Sequence, residues 1–250
     1  MSKKKKTKQI YLLPNLVTTG NLFCGFYSII ASVHYEFIVA SWAIIAATVF
    51  DLLDGRIARL AKATSKFGGE YDSLSDLVSF GLAPALLIYL WAIESFGRLG
   101  WLASFLFVAC GAFRLARFNV QSEGEPKGFF LGLPIPMAAG AISTFCIYRF
   151  HTGFPDVPYF RAITLVLAIG LGILMVSTIL FPSFKEIHWR SKASFGYLFL
   201  AVVAIVLIAI RPEIFIFILL SAYLGLSLLW NILRFFKINL GKSSSGALNK

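Results

Sequence analysis

Acidic residues are scarce in this sequence. Twelve Asp and Glu stand against 23 Lys and Arg, and charged residues fill only 14% of 250 positions. A soluble domain averages about 25% charged, so a water-exposed surface is excluded for most of the chain. Histidine is rarer still: His34, His151 and His188 are scattered, without the spacing of a histidine metal site. The three cysteines, Cys24, Cys110 and Cys146, form no CxxC and fall inside apolar runs. They read as reduced, buried small hydrophobes. No cleavable leader is expected, because the apolar run after the basic start MSKKKKTKQ is broken by Pro14, Asn15, Thr18, Thr19 and Asn21.

What is abundant is apolar. The chain is 58% hydrophobic with a mean hydropathy of +0.79. A helix needs about 20 mostly apolar residues to cross a bilayer, and eight runs are candidates: 15–33, 36–54, 72–94, 98–118, 131–150, 162–181, 195–210 and 213–235. The expected fold class is an all-α integral membrane protein with about eight transmembrane helices, six at the fewest because some runs are short. Residues 1–9 read as a basic N-terminal tail, 10–237 as one transmembrane domain, and 238–250 as a disordered Ser/Gly-rich tail.

With eight spans both termini share a side, and that side collects 19 of the 23 Lys and Arg. Only Arg98, Arg149, Arg161 and Arg211 fall opposite. The positive-inside rule makes the rich side cytoplasmic, in the cell membrane. The net charge of +11 is then topology plus attraction to anionic headgroups, and nucleic acid is not an expected partner. No internal duplication relates the two halves, as it does in many transporters.

Four of the five aspartates crowd into DLLDGRIARLAKATSKFGGEYDSLSD, residues 51–76. Asp51 and Asp54 are three apart and Asp72 and Asp76 four apart, so each pair shares a helix face. A turn expected at Gly68-Gly69 lets the faces meet. Four facing carboxylates repel unless some are protonated or a cation compensates them. Hard oxygen ligands without Cys or His favour Mg²⁺, Mn²⁺ or Ca²⁺ over zinc. Four carboxylates from two helices suit a two-metal site that clamps phosphate oxygens.

The neighbours fit. Gly55 presents no side chain, so a ligand can approach the backbone closely. Arg59, two turns after Asp51, can offer a guanidinium to phosphate. The plainer reading is an ion-paired helix end balanced by Arg56, Arg59, Lys62 and Lys66. It suits one aspartate near a boundary better than four in register at membrane depth.

The pattern Asp51-x2-Asp54-Gly55-x2-Ala58-Arg59-x8-Gly68-x3-Asp72-x3-Asp76 resembles the signature of the CDP-alcohol phosphatidyltransferases at every fixed position. That resemblance implies transfer of a phosphatidyl group from a CDP-linked lipid to an alcohol, with release of CMP. It implies two divalent cations, Mg²⁺ or Mn²⁺, with Ca²⁺ as a third candidate. Asp51, Asp54 and Asp72 would hold the first, and Asp51, Asp72 and Asp76 the second. Asp76 would also take the alcohol proton. Gly55, Arg59 and Ser65 would contact the cytidine diphosphate, and the chain would form a homodimer.

Four further stretches, PNLVTTGNLFCGFYSI at 14–29, CGAFRLARFNV at 110–120, FFLGLPIPMAAG at 129–140 and MVSTILFPSFK at 175–185, resemble the membrane-integral serine-transferring branch. That branch implies CDP-diacylglycerol and L-serine as substrates. The unrelated soluble branch relies on a His-x-Lys pair, which none of the three histidines here forms.

Each stretch also has a plain reading. Pro14-Asn15 is a natural helix start, while the functional alternative sets Asn15 and Thr18 against the nucleotide. Arg114 and Arg117 either snorkel into headgroups or bind the lipid phosphate or the serine carboxylate, with Asn119 close by. Gly132, Pro134 and Pro136 read as structural, and Lys185 is undecided. Glycerol 3-phosphate or inositol phosphate as acceptor would use the same cations. The rival class is a cation transporter, which bunching at one membrane face and a repelling Arg59 both oppose.

Overall fold

The computed structural model describes residues 2–60, 65–120, 129–153, 155, 157–182 and 194–246, with side chains described for 14–57, 65–120, 129–153, 155, 157–182, 196 and 202–234. Helices dominate. They are α1 (Ser2–Val33), α2 (Phe37–Leu60), α3 (Lys66–Phe96), α4 (Arg98–Val120), α5 (Ile135–Thr152), α6 (Pro158–Val176), α7 (Ser194–Ile210) and α8 (Pro212–Gly246). Each of the eight expected spans corresponds to one of these helices, although 131–134 and 177–181 are not helical. Six stretches are long and apolar enough to cross a membrane: Pro14–Val33, Phe37–Ile57, Lys66–Phe96, Arg98–Val120, Pro158–Val176 and Pro212–Arg234. The remaining two helices, α5 with 18 residues and α7 with 17, fall short by composition or length.

Large apolar side chains line the outside. Phe23, Phe67, Leu99, Phe105, Phe113, Val166 and Leu226 are each more than 60% exposed. In water such a surface would drive association; against lipid tails it is the expected solvent face. The interior is built from small and branched residues, with Ala40, Ile44, Ala47, Phe80, Leu87, Phe107, Ile142 and Met175 essentially inaccessible. Packing brings α1 against α2 and α3, α2 against α5, α4 against α6, and α5 against α8.

A close approach joins α1 to α3. A Cβ built at Gly25 would lie 2.6 Å from the Cα of Ser79, so the two backbones touch only because Gly25 has none. Gly25→Ala is expected to push α1 off α3 at a cost of about 1–3 kcal/mol, seen as a lower midpoint of thermal unfolding in detergent.

Three local features depart from the expectations. Pro14 does not start a helix, since α1 runs through it from Ser2, so Asn15 is not a cap. The pair Gly68-Gly69 does not form the turn either. Both residues lie in the first turns of α3, which begins directly after Ser65, whose hydroxyl caps the helix by accepting from the Gly68 N–H at 2.9 Å. A serine cap satisfies an otherwise orphaned donor and fixes where α3 begins.

The third is a short antiparallel pair, β1 (Phe129–Leu131) and β2 (Leu180–Pro182), with Phe130 opposite Phe181. Gly132 follows at φ +78°, a left-handed conformation that suits glycine, and Pro134 then precedes α5 as its cap residue. The GLPIP stretch thus enters α5 through non-helical residues at Gly132–Pro134, with Ile135 and Pro136 opening the helix.

Helix α3 itself is irregular. Immediately after Asp76, residues Leu77–Leu82 wind as a π-helix, and Tyr89–Ile93 do so again. Pro84 lacks an N–H and its ring crowds the carbonyl four residues back. Widening the turn ahead of it, with Ala83 N–H donating to Val78 O, is one relief. Single π turns of this kind cluster near functional sites.

Candidate metal centre and nucleotide site

Helices α2 and α3 carry the aspartates, and the Ser65 cap sets the register of the second pair. One carboxylate oxygen from each of Asp51, Asp72 and Asp76 falls within 4.8 Å of the others. Asp54 stands outside that group of three. It is buried, one turn from Asp51. Among the described residues, Oδ2 of Asp54 and Oδ1 of Asp72 are buried without a hydrogen-bond partner. Buried polar atoms are nearly always satisfied, so both oxygens are open to a further partner.

These orphaned oxygens and the all-oxygen donor set fit a divalent cation. Asp51, Asp72 and Asp76 can hold one, and the hard carboxylates suit Mg²⁺, Mn²⁺ or Ca²⁺.

Around the carboxylates the structure places the other expected residues unevenly. Space beside Gly55 is open: apart from its own helix backbone and chain neighbours, no atom of the described residues lies within 4 Å of where a Cβ would stand. A ligand can therefore reach the helix next to Asp54. Asn15 and Ser65 come together at the start of α3: a Cβ at Gly68 would meet Ser65 Oγ at 3.1 Å and Asn15 Oδ1 at 3.4 Å. Thr18 is buried, its hydroxyl donating to the Pro14 carbonyl at 3.1 Å. Arg59 lies on α2, but its side chain is outside the described residues, as is all of Lys185.

The two arginines of α4 separate. Arg114 is buried. Arg117 donates from Nη1 to the Val176 carbonyl at 3.1 Å and from Nη2 to the Leu131 carbonyl at 2.7 Å. It thereby caps the end of α6 and ties β1 to it, where a cation meets the negative end of a helix. Arg117→Ala is expected to cost about 2 kcal/mol of stability from the lost charge-assisted bonds, with a KM for the acceptor within about twofold of native in the folded fraction. A much larger rise in that KM would return Arg117 to the binding site.

Several contacts were not expected from sequence. Asn21 Nδ2 donates to Asp76 Oδ1 at 3.0 Å, Ser75 Oγ to the Thr18 carbonyl at 3.2 Å, and Ser79 Oγ to the Asn21 carbonyl at 3.0 Å. Asn119 meets Ser73, the neighbour of Asp72, at 3.0 Å. The legible signal is the polar interruption of the first apolar run by Asn15, Thr18, Thr19 and Asn21, of which only Asn15 and Thr18 are expected at the site.

Residues 11–181 match the model of the CDP-alcohol phosphatidyltransferases. The chain belongs to the CDP-alcohol phosphatidyltransferase family. Among its relatives, a CDP-diacylglycerol–serine O-phosphatidyltransferase of Helicobacter pylori is 40% identical over 230 residues, 90% of this chain and 91% of the relative. An archaetidylserine synthase of Methanothermobacter thermautotrophicus is 39% identical over 184 residues, 73% of this chain and 74% of the relative. A CDP-diacylglycerol–serine O-phosphatidyltransferase of Bacillus subtilis is 34% identical over 174 residues, 70% and 92%. The family match spans α1 to β2, so it contains every residue of the acidic cluster.

Proposed function

We propose that this phosphatidyltransferase moves the phosphatidyl group of CDP-diacylglycerol to the hydroxyl of L-serine, giving phosphatidylserine and CMP. The observation that carries the reading is the convergence of Asp51, Asp72 and Asp76 in a chain 40% identical, over nine-tenths of its length, to a serine-transferring enzyme.

In the proposed mechanism Asp51, Asp54 and Asp72 would hold one divalent cation and Asp51, Asp72 and Asp76 a second, Mg²⁺ or Mn²⁺. When bound, these cations would offset the pyrophosphate charge of the donor and the phosphate charge of the departing CMP. The open face at Gly55 admits the diphosphate against the α2 backbone. Arg59 adds a guanidinium to it, and Asn15, Thr18 and Ser65 border the nucleotide. The serine Oγ attacks phosphorus in line, and its proton passes to a carboxylate oxygen of Asp76. A P–Oγ bond forms as the P–O bond to CMP breaks. No covalent enzyme intermediate is required, and the protein acts by positioning and electrostatics.

The acidic cluster and both termini face the cytoplasm, where charged nucleotide and serine are supplied, and the chain works as a homodimer in the cell membrane. Charge distribution supports that orientation.

The test is CMP release by purified protein given CDP-diacylglycerol and Mn²⁺ or Mg²⁺, with serine, glycerol 3-phosphate or inositol 1-phosphate added in turn. Release that depends on serine is expected. Release only with a phosphorylated acceptor would keep the family chemistry and overturn the substrate.

A further inference from the structure

Asn21 sits on α1 one turn beyond Thr18, wholly buried. Among the described residues it is the side chain that hydrogen-bonds Asp76, from Nδ2 to Oδ1 at 3.0 Å. Its own Oδ1 has no hydrogen-bond partner among the described residues. An unsatisfied amide oxygen in an apolar span is costly, and a leucine of similar volume would fill the place without that cost. Packing alone therefore does not account for Asn21.

The surrounding contacts hold Asn21 still. Its backbone carbonyl accepts from Ser79 Oγ at 3.0 Å, and the Thr18 carbonyl accepts from Ser75 Oγ at 3.2 Å. These two clamps flank Asp76 in sequence, and Gly25 lets the helices meet just beyond them. The amide thus approaches Asp76 from a fixed platform. The Asp76 carboxylate, by contrast, faces Asp51 and Asp72, whose like charge would turn it away.

We propose that Asn21 is a positioning residue: through its Nδ2–Oδ1 hydrogen bond it fixes the plane of the Asp76 carboxylate, so that the remaining lone pairs face Asp51, Asp72 and the attacking hydroxyl. This rests on the reading of Asp76 as cation ligand and proton acceptor. Preorganised ligands of this kind depend on partners that set their orientation.

The test is a double-mutant cycle on Mn²⁺ affinity, read by electron paramagnetic resonance of the purified full-length chain, with Asn21→Leu, Asp76→Asn and the pair. Asn21→Leu is expected to weaken Mn²⁺ binding about tenfold and to leave no further effect once Asp76→Asn is present. In turnover it should lower kcat at least about tenfold, with KM for CDP-diacylglycerol within about threefold. Asn21→Ser, which keeps a shorter donor, should fall between Asn21→Leu and native and serves if the leucine variant does not fold. Equal weakening in both backgrounds, or unchanged Mn²⁺ affinity and kcat, would overturn the proposal. Native protein that releases no CMP would instead sink the transferase reading, while the Mn²⁺ cycle would still decide whether Asn21 acts through Asp76.

Discussion

Asp76→Asn is expected to lower kcat about 1000-fold while CDP-diacylglycerol still binds within about threefold of native affinity. Loss of a general base alone removes 10²–10⁴-fold. The isosteric amide keeps the packing around a buried position and still accepts a hydrogen bond from Asn21, so the fold has little reason to change. Nucleotide affinity survives because Asp51, Asp54 and Asp72 remain to hold the cation nearest the diphosphate. Titrating CDP-diacylglycerol into the variant by calorimetry, beside a CMP-release assay, separates the two quantities.

The second large effect is expected at Asp51 or Asp72. Each contributes an oxygen to the group of three and, in the proposed mechanism, to both cations. Asp51→Asn or Asp72→Asn should therefore lose turnover and nucleotide affinity together. Cation affinity should fall by at least about 100-fold, beyond the 10–100-fold seen when only a supporting partner is lost. The contrast with Asp76→Asn is the informative part. Equal nucleotide affinity in all three variants would contradict the assignment of ligands to cations.

Much of this was legible before any coordinates. Apolar run length depends only on composition, so the eight helices could be counted from residues alone, and the spacing of Asp51, Asp54, Asp72 and Asp76 put each pair on one face. The turn between α2 and α3 was misplaced because Gly68-Gly69 carries the stronger turn signal, while a single capping serine at Ser65 decided the boundary. The pair β1–β2 was invisible: three-residue strands have no periodicity to read, and their partners are far apart in sequence, as Phe130 and Phe181 are. The π stretch Leu77–Leu82 lies just ahead of Pro84, where the proline ring crowds the carbonyl four residues back, and composition does not report it.

The site shows the same division. The carboxylates announced themselves because charge at membrane depth is expensive. Asn21, Ser75 and Ser79 did not, since single polar residues in a span are common and their meaning depends on which helix they face. Only the close packing of α1 on α3, permitted at Gly25, turns them into a support for Asp76. Arg117 looked like a ligand for an anion by type and place, and its two bonds to backbone carbonyls became visible only once β1 and the end of α6 were brought beside it.

The central claim is that the aspartates of α2 and α3 hold divalent cation where the CDP-lipid binds. Its most direct test is an electron paramagnetic resonance titration of Mn²⁺ into purified native protein and the Asp51→Asn variant, with and without CDP-diacylglycerol and with no acceptor present. The account predicts saturable binding approaching two Mn²⁺ per chain with the lipid, and its loss in the variant. Native protein that binds no Mn²⁺ under these conditions, or a variant that binds it as well as native, would contradict the account.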